Sequence, residues 1–171
     1  MHQDFLKAIE HLAAARSLFE KLAAGGAILG NDNHIGDIGE YWARRHFELT
    51  GQFNRFGDKK TSPFDIELID GSKVSVKTIT EWSKTKKGTQ IKPLDGESWQ
   101  LLMCVALDPQ LRPERMALVP FRALATRPEF AQNARRRNDL EAPTTTFPVF
   151  RWWPWLAEHQ LPLDQIIDAQ R

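Results

Sequence analysis

Two short stretches of this chain carry groups that can do chemistry together. "SPFDIEL", residues 62–68, has carboxylates at Asp65 and Glu67, and "KVSVKT", residues 73–78, has a hydroxyl at Ser75 and an amine at Lys77. Side chains alternate across a strand, so Phe64, Ile66 and Leu68 are expected on one face and Asp65 and Glu67 on the other; Val74, Val76 and Thr78 likewise oppose Ser75 and Lys77. The polar faces coincide if Asp65 pairs with Lys77 and Glu67 with Ser75, leaving Asp70, Gly71 and Ser72 as a three-residue loop. A two-residue loop at Asp70-Gly71 would put the acids among the valines, where burying them is costly. The three-residue loop is therefore expected, with its glycine in the left-handed position of a bulge. Such a surface could hold a divalent metal through its carboxylates, while the ammonium stabilises a phosphorane or orients an attacking water. The plainer reading is a solvated hairpin with a cross-strand Asp-Lys pair, worth about 1 kcal/mol or less if exposed.

Helices and strands must position this hairpin. Phe5, Ile9, Leu12, Phe19 and Ala23, widened by Leu6 and Leu22, fall near helical spacing and stop at Gly25-Gly26. "IGDIGEYWARRHFELTG" predicts a second helix that contains Glu40 and ends at Gly51. "QFNRF", "FDIEL" and "KVSVKTIT" then read as strands, with Asp70-Gly71 at the hairpin between the last two. "WQLLMCVALD" and "RMALVPF" read as strands buried on both faces, which implies a sheet covered by helices. The order indicates a mixed α/β domain rather than a pure doubly wound sheet.

The 171 residues suit one domain, divided into an N-terminal helix over 1–26, a core over 30–120 and an irregular C-terminal extension over 121–171. A formal charge of +1 gives no global pull toward nucleic acid or membrane, so any steering is local. The single cysteine, Cys104, lies in the apolar run "LLMCVAL" and reads as a core residue in a reducing compartment. The N-terminus lacks the pattern of a signal peptide, and no run of about 18 apolar residues marks a membrane span, so a cytoplasmic location with no membrane partner is expected.

An acid in a helix (Glu40 in "GDIGEYWARRHF"), an acid at a strand start (Asp65 in "SPFDIEL") and a lysine near a strand end (Lys77 in "VSVKT") together resemble the PD-(D/E)xK nuclease superfamily. The resemblance covers about residues 30–120, and the order of elements looks like that superfamily's restriction endonuclease-like αβββαβ core. It implies a magnesium- or manganese-dependent DNA endonuclease, of the restriction or phage-defence kind. By resemblance Asp65 and Glu40 would bind the metal and Lys77 would act near the attacking water. One position departs: the tripeptide is Ser75-Val76-Lys77, without the family's second acid. Either Glu67 supplies that carboxylate, or Ser75 binds through its hydroxyl or a water, or the site is dead. A rival tripeptide, Gln90-Ile91-Lys92, ranks lower because residues 81–88 would separate it from the Asp65 strand. Many such endonucleases act as homodimers, but no self-complementary patch is readable here.

"EWSKTKKGTQIK" gathers Lys84, Lys86, Lys87 and Lys92 around Trp82, a pattern that suits DNA phosphates and a stacked base as well as it suits a solvated loop. "ARRRND", residues 134–139, is a second basic cluster. His34 precedes the Glu40 helix, where capping by Asp32 or Asn33 competes with a phosphate-contacting role. Trp152, Trp153 and Trp155 read as packing for the C-terminal segment. No zinc spacing, P-loop or nucleophile elbow is present. Two alternatives to an active nuclease follow: an inactive nuclease-like DNA-binding protein, and a scaffold or immunity-type interaction protein that keeps only the fold.

Overall fold

The computed structural model of the chain describes residues 2–26, 28, 34–58, 61–80, 97–127, 154–164 and 166. Helix α1, His2–Ala24, stops at the glycines, with Gly26 at φ 69°. Helix α2, His34–Leu49, stops at Gly51, whose φ of 67° lets the Gln52 amide reach back to the Phe47 carbonyl at 2.7 Å. Five strands follow: β1 Phe53–Phe56, β2 Ile66–Leu68, β3 Lys73–Thr80, β4 Leu101–Leu107 and β5 Pro113–Pro120. They form one sheet in the order β1-β2-β3-β4-β5. Every neighbouring pair is antiparallel except β3 and β4, which are parallel and so cannot be joined by a tight turn. A short helix α3, Phe121–Ala125, and a 3₁₀ turn, Pro154–His159, complete the described fold. The chain is therefore a mixed α/β domain. No helix among the described residues is long and apolar enough to cross a membrane.

The strong apolar strands are buried on both faces, as their composition requires. On one face Trp42, Ala43 and Phe47 of α2 pack on Ile66, Leu68, Val74, Val76, Met103, Val105 and Met116. On the other, Ile79, Leu102, Cys104, Ala106, Ala117 and Val119 are covered by Trp99, Phe64, Leu124 of α3, Trp155 and Leu156. Trp155 thus packs onto its own domain; Trp152, Trp153 and the basic cluster at 134–139 lie outside the described residues.

Two expectations for the hairpin need correction. The register pairs Ile66 with Val74 and Glu67 with Lys73, two residues away from the expected pairing of Asp65 with Lys77 and Glu67 with Ser75. The turn chemistry decides this. The Leu68 amide bonds the Ser72 carbonyl at 2.8 Å, the Gly71 amide bonds Leu68 at 2.9 Å, and the Asp70 carboxylate takes the Ser72 amide at 2.9 Å. The loop is therefore Ile69-Asp70-Gly71, three residues long, with Gly71 at φ 84°. A shift of two preserves which residues share a face. The second correction concerns Phe64, which packs with Ile79 and Trp99 on the face opposite Ile66 and Leu68. Gly57 presses so closely on the Phe64 carbonyl and Ser62 that no side chain fits there, and the chain enters β2 with Phe64 turned away.

Helix α2 meets β3 equally closely: a Cβ on Gly39 would overlap the Thr78 hydroxyl. Gly39→Ala should therefore destabilise the fold by about 1–3 kcal/mol despite alanine's better helix propensity. In a double-mutant cycle with Thr78→Ala, urea denaturation should give a coupling of about 1 kcal/mol or more; a coupling near zero would contradict this packing. His46 on the same helix is buried, which holds its imidazole below the ordinary value of 6.5. The unfolded chain takes that proton first, so stability is full above 6.5 and declines as pH falls below it. Denaturation at about pH 7.5 and about pH 5.5 should show this loss, and His46→Gln should reduce it. An unchanged difference in the variant would assign the loss to other groups.

Candidate functional site

The site lies where β2 parts from β3. Pairing between them ends at Ile66 and Val74, yet β3 runs on to Thr80, so its amides from Ser75 onward have no β2 ladder to join. Asp65, the residue just before β2, takes over the next position with its side chain. Its Oδ2 accepts the Val76 amide at 2.6 Å, a charge-assisted bond in place of a ladder bond. The same oxygen lies 3.5 Å from Ser75 Oγ and 3.8 Å from Lys77 Nζ. Every contact of this carboxylate falls on Oδ2, so Oδ1 is left open among the described residues; the side chain is 25% exposed. The Lys77 ammonium is fixed by the Val76 carbonyl at 2.9 Å.

Asp65, Ser75 and Lys77 are thus brought together, although Asp65 and Lys77 meet without being register partners. Lys77 lies beside Cys104 of β4, whose thiol burial pushes up to about 12 against the pull of the Lys77 charge. That cysteine is a packing residue, protonated at any physiological pH. Glu67 stays on the same side but is engaged elsewhere: Asn54 Nδ2 donates to its Oε1 at 3.4 Å, and Arg55 Nη2 pairs with its Oε2. Its expected partner, Ser75, is with Asp65 instead. Glu40 is buried on α2, one residue beyond the Gly39 contact with Thr78. Helix α2 covers the face of Val74 and Val76, opposite Lys77. Among the described residues no group of three or more His, Cys, Asp or Glu side chains comes together as a metal cage.

Lys84, Lys86, Lys87, Lys92 and Trp82, with the rival tripeptide Gln90-Ile91-Lys92, lie outside the described residues. So do Asp32 and Asn33. His34 opens α2, its Nδ1 3.8 Å from the Asp37 carboxylate and its ring stacked on Phe19 at 4.8 Å. Sequence reasoning missed Asn54, Arg55 and Lys73 around the acids. The signal for Arg55 was weak, since "FNRF" shows its partner only once the β1 register is known.

These residues fit a magnesium ion only in its usual open form, with one or two carboxylates and the remaining positions on water and substrate phosphate. Asp65 Oδ1 is the oxygen suited to it, and Ser75 adds a neighbouring hydroxyl. No protein-family model matches this chain, and no curated protein matches it at a significant level.

The bond to Val76 gives Asp65 a structural duty. Asp65→Ala strands a buried amide and should cost about 1–3 kcal/mol, whereas Asp65→Asn keeps an acceptor and should cost less. Equal stability of Asp65→Ala and the parent in urea would contradict this assignment.

Proposed function

We propose that this chain is a magnesium- or manganese-dependent DNA endonuclease with a restriction endonuclease-like core, acting in restriction or phage defence. The observation that carries the reading is the Asp65 carboxylate at the parting of β2 and β3, one oxygen tied to the Val76 amide beside Lys77 and the other open. The order of a helix, three antiparallel strands and two further strands supports it.

In this reading Asp65 holds the metal, whose remaining positions fall to water and substrate phosphate. A bound magnesium would supply Lewis-acid polarisation of the phosphate oxygens and make a water more acidic. The chain's own contribution is placement. Lys77, fixed by the Val76 carbonyl and neighbouring Asp65, presents a positive charge where the phosphorane develops. Water oxygen attacks phosphorus, the bond from phosphorus to the leaving sugar oxygen breaks, and the proton lost by water balances the one the leaving oxygen gains. Glu67 takes no part in holding the metal, because both its oxygens face donors from β1.

Ser75 favours a second reading, a disabled nuclease that still binds DNA. Its side chain is buried beside Asp65 where the family pattern has an acid. The test is cleavage of supercoiled plasmid and of single-stranded DNA with magnesium or manganese. Asp65→Asn and Lys77→Ala should each lower the rate by about 100-fold or more, with melting curves near the parent's. Cleavage that survives both substitutions would sink the site. A silent parent together with an active Ser75→Glu would select the disabled form.

A further inference from the structure

Glu67 anchors a second feature of the same face. The pairing of β1 with β2 is irregular between Phe53 and Arg55, because Phe53 faces Leu68 and Arg55 faces Glu67. The extra residue is a bulge, and it sends both Asn54 and Arg55 toward the Glu67 carboxylate, which receives a donor on each oxygen. The Arg55 side chain remains 59% exposed, and among the described residues its guanidinium gives only Nη2 to Glu67, leaving other donors of the fork uncommitted. On the opposite side of Glu67, Lys73 is its direct cross-strand partner. The Lys73 ammonium lies 5.3 Å from the centre of the Phe64 ring, next to Asp65 in the chain. Arg55, Glu67 and Lys73 therefore form a row across three adjacent strands, the backbone positions of its two cations separated by two strand spacings, about 10 Å. Asp65, Ser75 and Lys77 border the row on the same face.

We propose that this row binds the sugar-phosphate backbone of DNA beside the scissile bond, Arg55 and Lys73 each taking one phosphate, with Glu67 as the positioning residue for Arg55. The inference rests on the reading of the neighbouring site as one that acts on DNA. Two cations carried on strands two spacings apart, with Glu67 between them, match a polyanion crossing the strands. A guanidinium already held by a carboxylate loses less freedom when its remaining donors meet a phosphate. Such contacts position the duplex and carry no sequence preference.

The experiment is fluorescence anisotropy of labelled duplex DNA, titrated with the full chain in EDTA over a fourfold range of potassium chloride. Arg55→Gln and Lys73→Gln, which keep most of the side-chain packing, should each reduce the slope of log K against log salt by about 0.9. That amounts to about threefold less loss of affinity over the range. Arg16→Gln, on the exposed face of α1, should leave the slope unchanged. Glu67→Ala should weaken binding and lower the slope like Arg55→Gln, and Glu67→Gln, which still accepts from Arg55, should restore the parent values. Simple charge removal predicts the opposite, tighter binding by Glu67→Ala, and that result would overturn the positioning role. A parent that binds with a slope indifferent to Arg55 and Lys73 would overturn the row alone. A parent that binds no DNA at any salt would remove the row and the nuclease reading together. Melting curves that coincide with the parent's confirm that each variant is folded.

Discussion

The bond from the Val76 amide to the Asp65 carboxylate does two things at once. It ends the β2 side of the sheet without leaving a buried donor unpaired, and it fixes a carboxylate in the gap that the ending creates. A backbone carbonyl in that position would have continued the ladder and closed the gap. A side-chain acceptor keeps the strands apart, and because all its polar contacts among the described residues fall on one oxygen, the second oxygen is left open there. Lys77, fixed by its own strand's carbonyl, follows from the same arrangement: its amine is directed to the gap by the backbone it belongs to.

The gap keeps its shape because β3 is clamped on both faces. Phe47 and Trp42 press on the side of Val74 and Val76, and Gly39 allows α2 to come down onto Thr78. The other face is filled around Cys104, Ile79 and Trp155. A strand buried on both faces has few ways to shift without opening voids, so the residues that alternate along it hold fixed directions. Lys77 and Ser75 inherit that rigidity. At the β1 edge the Asn54 bulge performs a different service, collecting two donors on Glu67 and leaving a guanidinium facing water.

Helix ends and strand existence were legible in the sequence because glycines with positive φ and apolar alternation are local signals. Gly26, Gly51 and Gly71 all occupy the left-handed region where stops and turns were expected. The shared face of Asp65, Ser75 and Lys77 was legible for the same reason, since the two-residue period fixes parity. Parity does not choose between registers two residues apart; that choice came from the Asp70 side chain bonding Ser72, a turn contact with no signature in the hydrophobic pattern. Phe64 lies on the face opposite the one that alternation predicts because the turn comes from Gly57, seven residues earlier in another strand's exit. The role of Glu67 was hidden because its partners arrive through a bulge in β1 that nothing in "FNRF" announces. Glu40 was legible as a helix acid, but not the face that its helix would cover.

The most direct measurement of the central claim is the anomalous difference density of manganese in crystals of the full chain soaked with the ion. The account predicts a peak within coordination distance of Asp65 Oδ1, about 2.0–2.1 Å for a magnesium-like ion, with the Val76 amide still on Oδ2. Strong manganese peaks elsewhere, with Asp65 Oδ1 bare at saturating ion, would contradict it.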